Sequence, residues 1–399
     1  NSEAFKVCSP WRALETGIRG ATSWPIIMRS IACSPWCTPA FIEKTKQSAN
    51  QHMKILETIS PVLWPNADHN HYLIDQTGLL SFTLLFPDLD PNHVRRQKAC
   101  KELDRCLLAQ CTEEGGQIEG SPSYHNACLF WFAFREYLEK RQDSTIMETL
   151  NKMFVYSIQS TRNCGGCFPI GDSHCEDKET LALPAFALYL ASGKYEYLSK
   201  ALHFIPTETM DAVIADNIFR CDDLEKLFED YAKALEHQEH IDIPLVSFQK
   251  TLGEAFIRTG WEKQDISLAV ICKSPVQNRH AHMDPGSIDF SAFGKPLIVD
   301  PGIYTYKEGI DRYHFKSTLW HNTVTINQKD AWEYISSWKY GEQKQSRLER
   351  VQSFPSYTMA QMTIGNYAPV SIIRTIVLEE QRYLLVIDDV SHLSNDVVD

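Results

Sequence analysis

The chain changes character once, and that change limits its fold more than any other feature. From about residue 11 to residue 236, apolar residues recur at helical spacing. Beyond His237 they gather into short runs rich in Val, Ile and aromatic residues, separated by turn residues. A block of helices followed by a block of strands excludes an alternating α/β sheet and predicts separate layers or domains. With 399 residues, one ordinary core is outgrown and two domains are expected, spanning 1–238 and 239–399.

Helix starts are marked by caps. Thr38-Pro39, Asp90-Pro91, Ser121-Pro122 and Asp143 each predict one, and Pro25 is expected to interrupt the run Trp11, Leu14, Ile18, Ala21, Trp24. Further helices are predicted over 176–191 and 222–237, and the helix through Tyr124–Tyr137, apolar nearly all round, is expected to be buried on most faces. Short connections predict antiparallel helix pairs. The segment HQEHIDIPLVSF reads as a linker. The runs ISLAVICKS, SIDFSAF, PLIVD, NTVTIN, YTMAQMTI, SIIRTIVLE and YLLVIDDV then predict the strands of a β-sandwich.

The net charge of −12 argues against a nucleic-acid partner, but a local cluster of basic residues can still hold a polyanion. No apolar run reaches membrane-span length, and no signal peptide is present. The chain begins at Asn1 without Met and stops at Asp399 just after a strand, as expected of a mature or trimmed fragment. Twelve cysteines are too dilute for a disulfide scaffold. Cys164, Cys167, His174 and Cys175 lack a clean second pair for zinc, and read as loop cysteines or a single disulfide ahead of a metal site.

Three stretches can carry chemistry. Asp68-His69-Asn70-His71 opens a helix, where capping needs one side chain but two imidazoles and an amide converge. In Glu119–Asn126, Tyr124 is either a buried tyrosine or a proton-transfer group, with His125 beside it. The third is the stretch Asn278–Tyr306, whose strand alternation would project His280, His282 and Asp284 from one side. Its hairpin turn at Gly294-Lys295 sets Asp300 opposite Asp289, so Pro285-Gly286 must bend the chain for His282 and Asp300 to meet. With His321, these two make a histidine–carboxylate set suited to zinc or manganese.

These motifs, in this order, resemble the heparinase II/III-like polysaccharide lyases. The likeness runs through WRALETGIRGATSW, Asn70-His71, EGSPSYH, HAHMDPGSIDFSAFGKPLIVDPGIYTY and KSTLWHNTV, and covers nearly the whole chain. It implies an α/α toroid, here incomplete, followed by an antiparallel β-sandwich whose C-terminus is expected to be truncated. It also implies β-elimination on uronic-acid glycosaminoglycans (heparin or heparan sulfate, chondroitin sulfate, hyaluronan), with alginate or a non-catalytic carbohydrate-binding role as alternatives. By motif position, Asn70 and His71 would neutralise the uronate carboxylate and Tyr124 would be the acid, and also the base in syn geometry. His280 would be a base on the opposite face of the sugar. His282, Asp300 and His321 would hold a divalent metal ion, zinc or manganese. His125, Arg279, Tyr304 and Tyr313 are expected to contact an acidic polysaccharide or oligosaccharide, with Tyr306, Lys295 and Lys316 as further candidates. No nucleic-acid or membrane partner is expected, and a periplasmic or secreted setting is implied. Trp11, Trp24 and Trp36 are expected in the toroid core.

Overall fold

Capping chemistry sets the helix starts. In the computed structural model, which describes residues 11–392 apart from 33, 36, 142, 175–180, 238–239, 343, 345 and 380–382, the Thr38 hydroxyl accepts from Phe41 N. The Asp143 carboxylate accepts from Thr145 N and Ile146 N. The helices are α1 (Ala13–Ala21), α2 (Ser23–Ile31), α3 (Pro39–Thr58), α4 (Ser60–Leu63), α5 (Asn70–Leu85), α6 (Val94–Gln110), α7 (Pro122–Glu139) and α8 (Ser144–Gln159). They continue with α9 (Ala182–Ser192), α10 (Glu196–Leu202), α11 (Thr207–Asn217) and α12 (Leu224–Glu236). Pro122 occupies the first turn of α7, where its missing N–H costs no hydrogen bond. The Asp90-Pro91 signal is displaced. The helix begins at Val94, and the Asp90 carboxylate reaches forward to accept from Arg95 N and Arg96 N. The first helical run breaks at Thr22, and Pro25 falls in the first turn of α2 instead of interrupting it.

α5 lies at the centre of the helical layer, with twelve of its residues buried, and α1 packs directly on it. The approach needs glycine on both sides. A Cβ on Gly78 would lie 2.5 Å from Gly17 Cα, and one on Gly17 would lie 2.8 Å from Asp75 Cα. Trp24 packs against this core and the Trp11 ring sits 4.9 Å from that of His52; Trp36 lies outside the described residues. α10 and α11 were not anticipated. No helix among the described residues is long and apolar enough to cross a membrane.

The remainder carries β1 (Val246–Gln249), β2 (Glu254–Arg258), β3 (Ser267–Ile271), β4 (Ser287–Ala292), β5 (Lys295–Ile298) and α13 (Ile310–Lys316). After these come β6 (Tyr334–Ser336), β7 (Lys339–Tyr340), β8 (Ser346–Ser353), β9 (Tyr357–Ile364), β10 (Val370–Glu379) and β11 (Tyr383–His392). All pairings are antiparallel, in a sheet β1-β2-β3-β4-β5, a sheet β11-β10-β9-β8 and a small hairpin β6-β7. The two larger sheets share a core that includes Ile257, Leu268 and Val270 from one and Met362, Ile372 and Ile376 from the other. The opposite face of the five-stranded sheet, through Phe256, Ala269 and Ile271, packs on Tyr156 of α8 and on Phe168 and Ile170. This toroid-plus-sandwich architecture therefore has three layers.

Being covered on both sides explains why β2 and β3 are buried throughout and show no alternation, whereas β9 and β10 alternate. Buried polar groups fix the junction. Arg258 reaches the C-terminal end of α8, donating to Gln159 O at 2.6 Å and also to Thr161 O, and Arg162 forks onto Asp289.

Three expectations fail locally. Residues 281–284 are irregular, not a strand, and Pro285 and Gly286, at φ 90°, turn the chain before Ser287 begins β4. NTVTIN forms no strand; the Asn322 amide instead donates to Ile288 O and Val299 O. The supposed linker ends as β1. The hairpin turn falls at Phe293-Gly294, one residue earlier than expected. A register shift between Phe290 and Ser291 still sets Asp300 against Asp289, with Asp300 N donating to Asp289 Oδ2 at 2.9 Å. His282 and Asp300 do meet, as the bend at Pro285-Gly286 was expected to allow.

Candidate active site

A cleft of about 870 Å³ lies where the helical layer meets the loops of the sandwich. Its helical wall carries Trp64, His69, Asn70, His71 and Tyr124. The other wall carries Arg279, His280, Tyr306, Trp338 and Lys339. Each is placed by an identifiable element: Asn70 and His71 open α5, Tyr124 lies in the first turn of α7, and Trp338 sits at the tip of the β6-β7 hairpin.

Glu119, just before α7, organises the helical side. Its carboxylate accepts from Asn70 N at 2.7 Å and from Asn70 Nδ2 at 2.5 Å. Its other close neighbour is His280 Nε2, at 3.3 Å. Burial works to raise the Glu119 pKa, but the hydrogen bond from His280, the nearby imidazoles and the Asn70 N–H prevail and hold it down at about 2. The His69 ring lies on Trp64, with centroids 3.8 Å apart, and its Nδ1 accepts from His71 N. Burial pushes His69 down to about 3 and His71 down to about 4, so both are neutral near pH 7 without a bound anion.

Asp172 organises the other side. One carboxylate oxygen lies 2.9 Å from His280 Nδ1 and the other 2.9 Å from His282 Nε2. The Arg312 guanidinium grips both oxygens, at 2.6 and 2.9 Å. The main chain reinforces this, since Asp172 N donates to His280 O and His280 N donates to Glu119 O. Gly171 makes the approach possible, because a Cβ there would lie 2.3 Å from His280 O. Burial pulls the His280 pKa down, but its two carboxylate partners outweigh burial and raise it above the ordinary value.

Tyr124 lies face to face on His280, and its hydroxyl is 2.8 Å from that of Tyr306. Burial pushes Tyr124 up to about 12 despite the Tyr306 hydrogen bond, so it holds its proton at neutral pH. The stacking leaves no gap for a sugar between Tyr124 and His280.

Below the cleft, His282, Asp300 and His321 meet, each offering a ligand atom within 4.8 Å of the others. His282 Nε2 points to Asp172, an acceptor, so it carries the proton and leaves the Nδ1 lone pair open. His321 Nδ1 donates to Ser317 O, leaving the Nε2 lone pair open. These two lone pairs face each other across 3.2 Å, and Asp300 Oδ2 is buried without a partner among the described residues. Two opposed imidazole lone pairs beside an orphaned carboxylate oxygen fit a divalent cation with borderline or nitrogen-preferring character.

Other expected residues lie elsewhere. His125 is buried against Met153 O and Tyr156, facing away from the cleft. Tyr304 is 68 % exposed, stacked on Phe315, and Tyr313 is bonded to Asp330; neither lines the cleft. Arg279 does line it, 3.6 Å from Asp68. Lys316 is fully buried beneath Trp338 and Tyr340, and Lys295 is exposed on β5. Cys167 is buried with Sγ near His174 O, and Cys175 lies outside the described residues. Asp172, Arg312 and Trp338 were not foreseen. Glu119 was visible only as the first residue of a motif.

Comparison with known proteins agrees with this fold. Residues 1–165 match the family described as Heparinase II/III N-terminus, and residues 253–397 match Heparinase II/III-like, C-terminal. A heparin-sulfate lyase of Pedobacter heparinus is 23% identical over 388 residues, 95% of this chain and 52% of its own length. One of Bacteroides stercoris is 22% identical over 340 residues, covering 81% and 45%. The chain thus spans about half the length of these curated relatives. In fold it is similar to the heparan sulfate lyase HepC of Pedobacter heparinus, with TM-score 0.66 and 21% identity over 96% of this chain and 54% of that one. It is also similar to a heparinase III, with TM-score 0.71 and 14% identity over 95% and 55%.

Proposed function

Since the chain belongs to the heparinase II/III-like family, we propose that its cleft cleaves uronic-acid glycosaminoglycans by β-elimination. In this reaction a base removes the uronate C5 proton, and the C4–O4 bond breaks as O4 is protonated. The product carries a C4=C5 double bond. The observation that carries the reading is the convergence of the Tyr124 hydroxyl, His280 and the Glu119-oriented Asn70 amide on one cleft from two layers of the fold. The cleft also presents Arg12, Arg279 and Lys339 within a chain of net charge −12, a local bias that suits an anionic polymer.

Removing the C5 proton is hard while the adjacent carboxylate is charged, because the developing carbanion is repelled. Asn70 Nδ2, held by Glu119, is a donor for that carboxylate. His71 beside it, neutral when the cleft is empty, gains a proton readily once an anion lies against it. Tyr124, protonated at neutral pH, suits donation to O4, and Tyr306 steers its hydroxyl. In syn geometry, Tyr124 first loses its own proton to solvent, and the phenolate then takes the C5 proton and passes it to O4. His280 serves as the base for the other epimer when its Nε2 turns from Glu119 to C5–H. A zinc or manganese ion held by His282, Asp300 and His321 would supply fixed positive charge beneath the cleft. His282 in turn keeps Asp172, and through it His280, in place.

The test is to incubate the protein with heparan sulfate, chondroitin sulfate, hyaluronan and alginate, following near-ultraviolet absorbance of the unsaturated uronate. Absorbance with the glycosaminoglycans supports the reading, and absorbance with alginate alone moves the substrate class. Reducing ends without absorbance mean hydrolysis and overturn it. We further propose a periplasmic or secreted location, which fractionation of cells producing the full-length protein tests.

A further inference from the structure

Trp338 is an exposed aromatic that nonetheless packs against Tyr306, His280 and two buried cations. It follows Ser337, which is fully buried and tied on every polar atom: Ser337 N donates to Glu308 at 2.7 Å and its Oγ accepts from Arg312 Nε at 3.1 Å. Its carbonyl accepts from Tyr340 OH at 3.1 Å. The Trp338 ring is 55% exposed, yet it stacks on Tyr306 with planes 14° apart and meets the His280 ring edge-on at 5.3 Å. Two buried cations support it, the Arg312 guanidinium at 5.7 Å and Lys316 Nζ at 5.5 Å from the ring. Trp338 lines the cleft. The next residue, Lys339, lines the same cleft with no ion-pair partner among the described residues.

We infer that the hairpin tip Trp338-Lys339 recognises one anionic sugar of the substrate, Trp338 as the platform for its C–H face and Lys339 as the partner of its sulfate. The inference rests on the lyase reading above and adds the residues that select the sugar next to the reacting bond. A pyranose has an apolar face of C–H bonds and a rim of polar groups. A flat aromatic ring flanked by a cation is complementary to both. Because the ring is already fixed by Tyr306, Arg312 and Lys316, binding immobilises little that was free, so contact area converts well into affinity. Contact with His280 sets the platform beside the residues assigned to proton transfer.

The experiment uses the Tyr124→Phe protein, so that substrate is bound but not consumed. Its affinity for a heparan-sulfate hexasaccharide and for the desulfated counterpart is measured by titration calorimetry. Adding Trp338→Ala should weaken both by about ten- to a hundredfold, as for removal of an aromatic anchor. Trp338→Phe should recover most of the loss. Lys339→Gln should weaken only the sulfated ligand, by about threefold, and flatten its salt dependence. Unchanged affinity in Trp338→Ala, or no recovery with Phe, overturns the platform. Equal losses for both ligands in Lys339→Gln overturn the anion assignment. If the wild-type protein turns over no glycosaminoglycan and the Tyr124→Phe protein binds none, the lyase reading itself falls. Turnover by the wild type with unaltered binding in the hairpin variants removes only this inference.

Discussion

The Tyr124 and His280 rings lie 3.5 Å apart, centroid to centroid, with planes 18° from parallel. The two groups assigned to proton transfer are therefore one stacked unit. They reach the cleft by their edges, and each restricts how the other moves.

Tyr124→Phe keeps that stack and deletes only the hydroxyl. Turnover should fall by about 10²–10⁴-fold, the usual contribution of a positioned proton donor, with the melting temperature unchanged. Tyr306→Phe, which removes only the partner of that hydroxyl, should cost much less. Absorbance of the unsaturated product measures both, and wild-type rates in Tyr124→Phe would remove it from the mechanism.

Glu119→Gln takes one of two carboxylates from His280, whose pKa is raised above the ordinary value chiefly against the pull of burial. Less negative charge lowers that pKa, so the acidic limb of kcat/KM should move to lower pH for the substrate epimer that uses His280 as base. A limb that stays in place would show that His280 is not the titrating base.

Chelating an ion held by His282, Asp300 and His321 should lower stability, because it would leave two imidazole lone pairs facing each other at 3.2 Å beside the Asp300 carboxylate. An ion at about a hundred times its dissociation constant contributes roughly 2.7 kcal/mol. Chelated protein should melt at lower temperature and recover with zinc or manganese. Asp300→Asn should show neither the loss nor the recovery, and elemental analysis should find its metal content reduced.

Acid should destabilise the protein in two steps. His69, His71 and His125 are pushed by burial down to about 3, 4 and 3, so below about pH 6.5 the unfolded chain binds protons that the folded chain refuses. Stability is therefore present above that pH and falls as pH drops toward 4. Glu119, held at about 2, adds a second loss below the ordinary glutamate range. Urea midpoints measured between pH 7 and pH 3 test this; a midpoint flat from 7 to 5 contradicts the histidine part.

Lys273 is fully buried on Glu254, which also accepts from Tyr156 OH, and Lys273 Nζ donates to Gly120 O at 2.9 Å. Lys273→Met leaves the Glu254 charge uncompensated and should cost about 3–5 kcal/mol. Adding Glu254→Gln should restore much of it, since glutamine still accepts from Tyr156. Denaturant unfolding of both variants decides the point, and equal losses would mean the charge is not what matters.

Local chemistry made much of this legible in the sequence. Caps at Thr38 and Asp143 and the helix opening at Asn70 depend on neighbours a few residues away. Asp172 was invisible, because it lies in a loop with no motif spacing and gains meaning only where the fold sets it against His280, His282 and Arg312. Helix geometry separated the Tyr124-His125 pair. Successive residues on α7 point about 100° apart, so when Tyr124 faces the cleft His125 faces α8. β2 was missed because burial on both faces removes the alternation that marks a strand. The HAHMD stretch misled in the opposite way, since its alternation is real but Gly286 bends it before any ladder forms.

Asp172 answers to His280 with one oxygen and to His282 with the other. A substitution that retunes the imidazole in the cleft is thus felt by the imidazole beneath it. Over descent, the two positions cannot drift separately. Change at either must be tolerated by the other, because one carboxylate orients both rings.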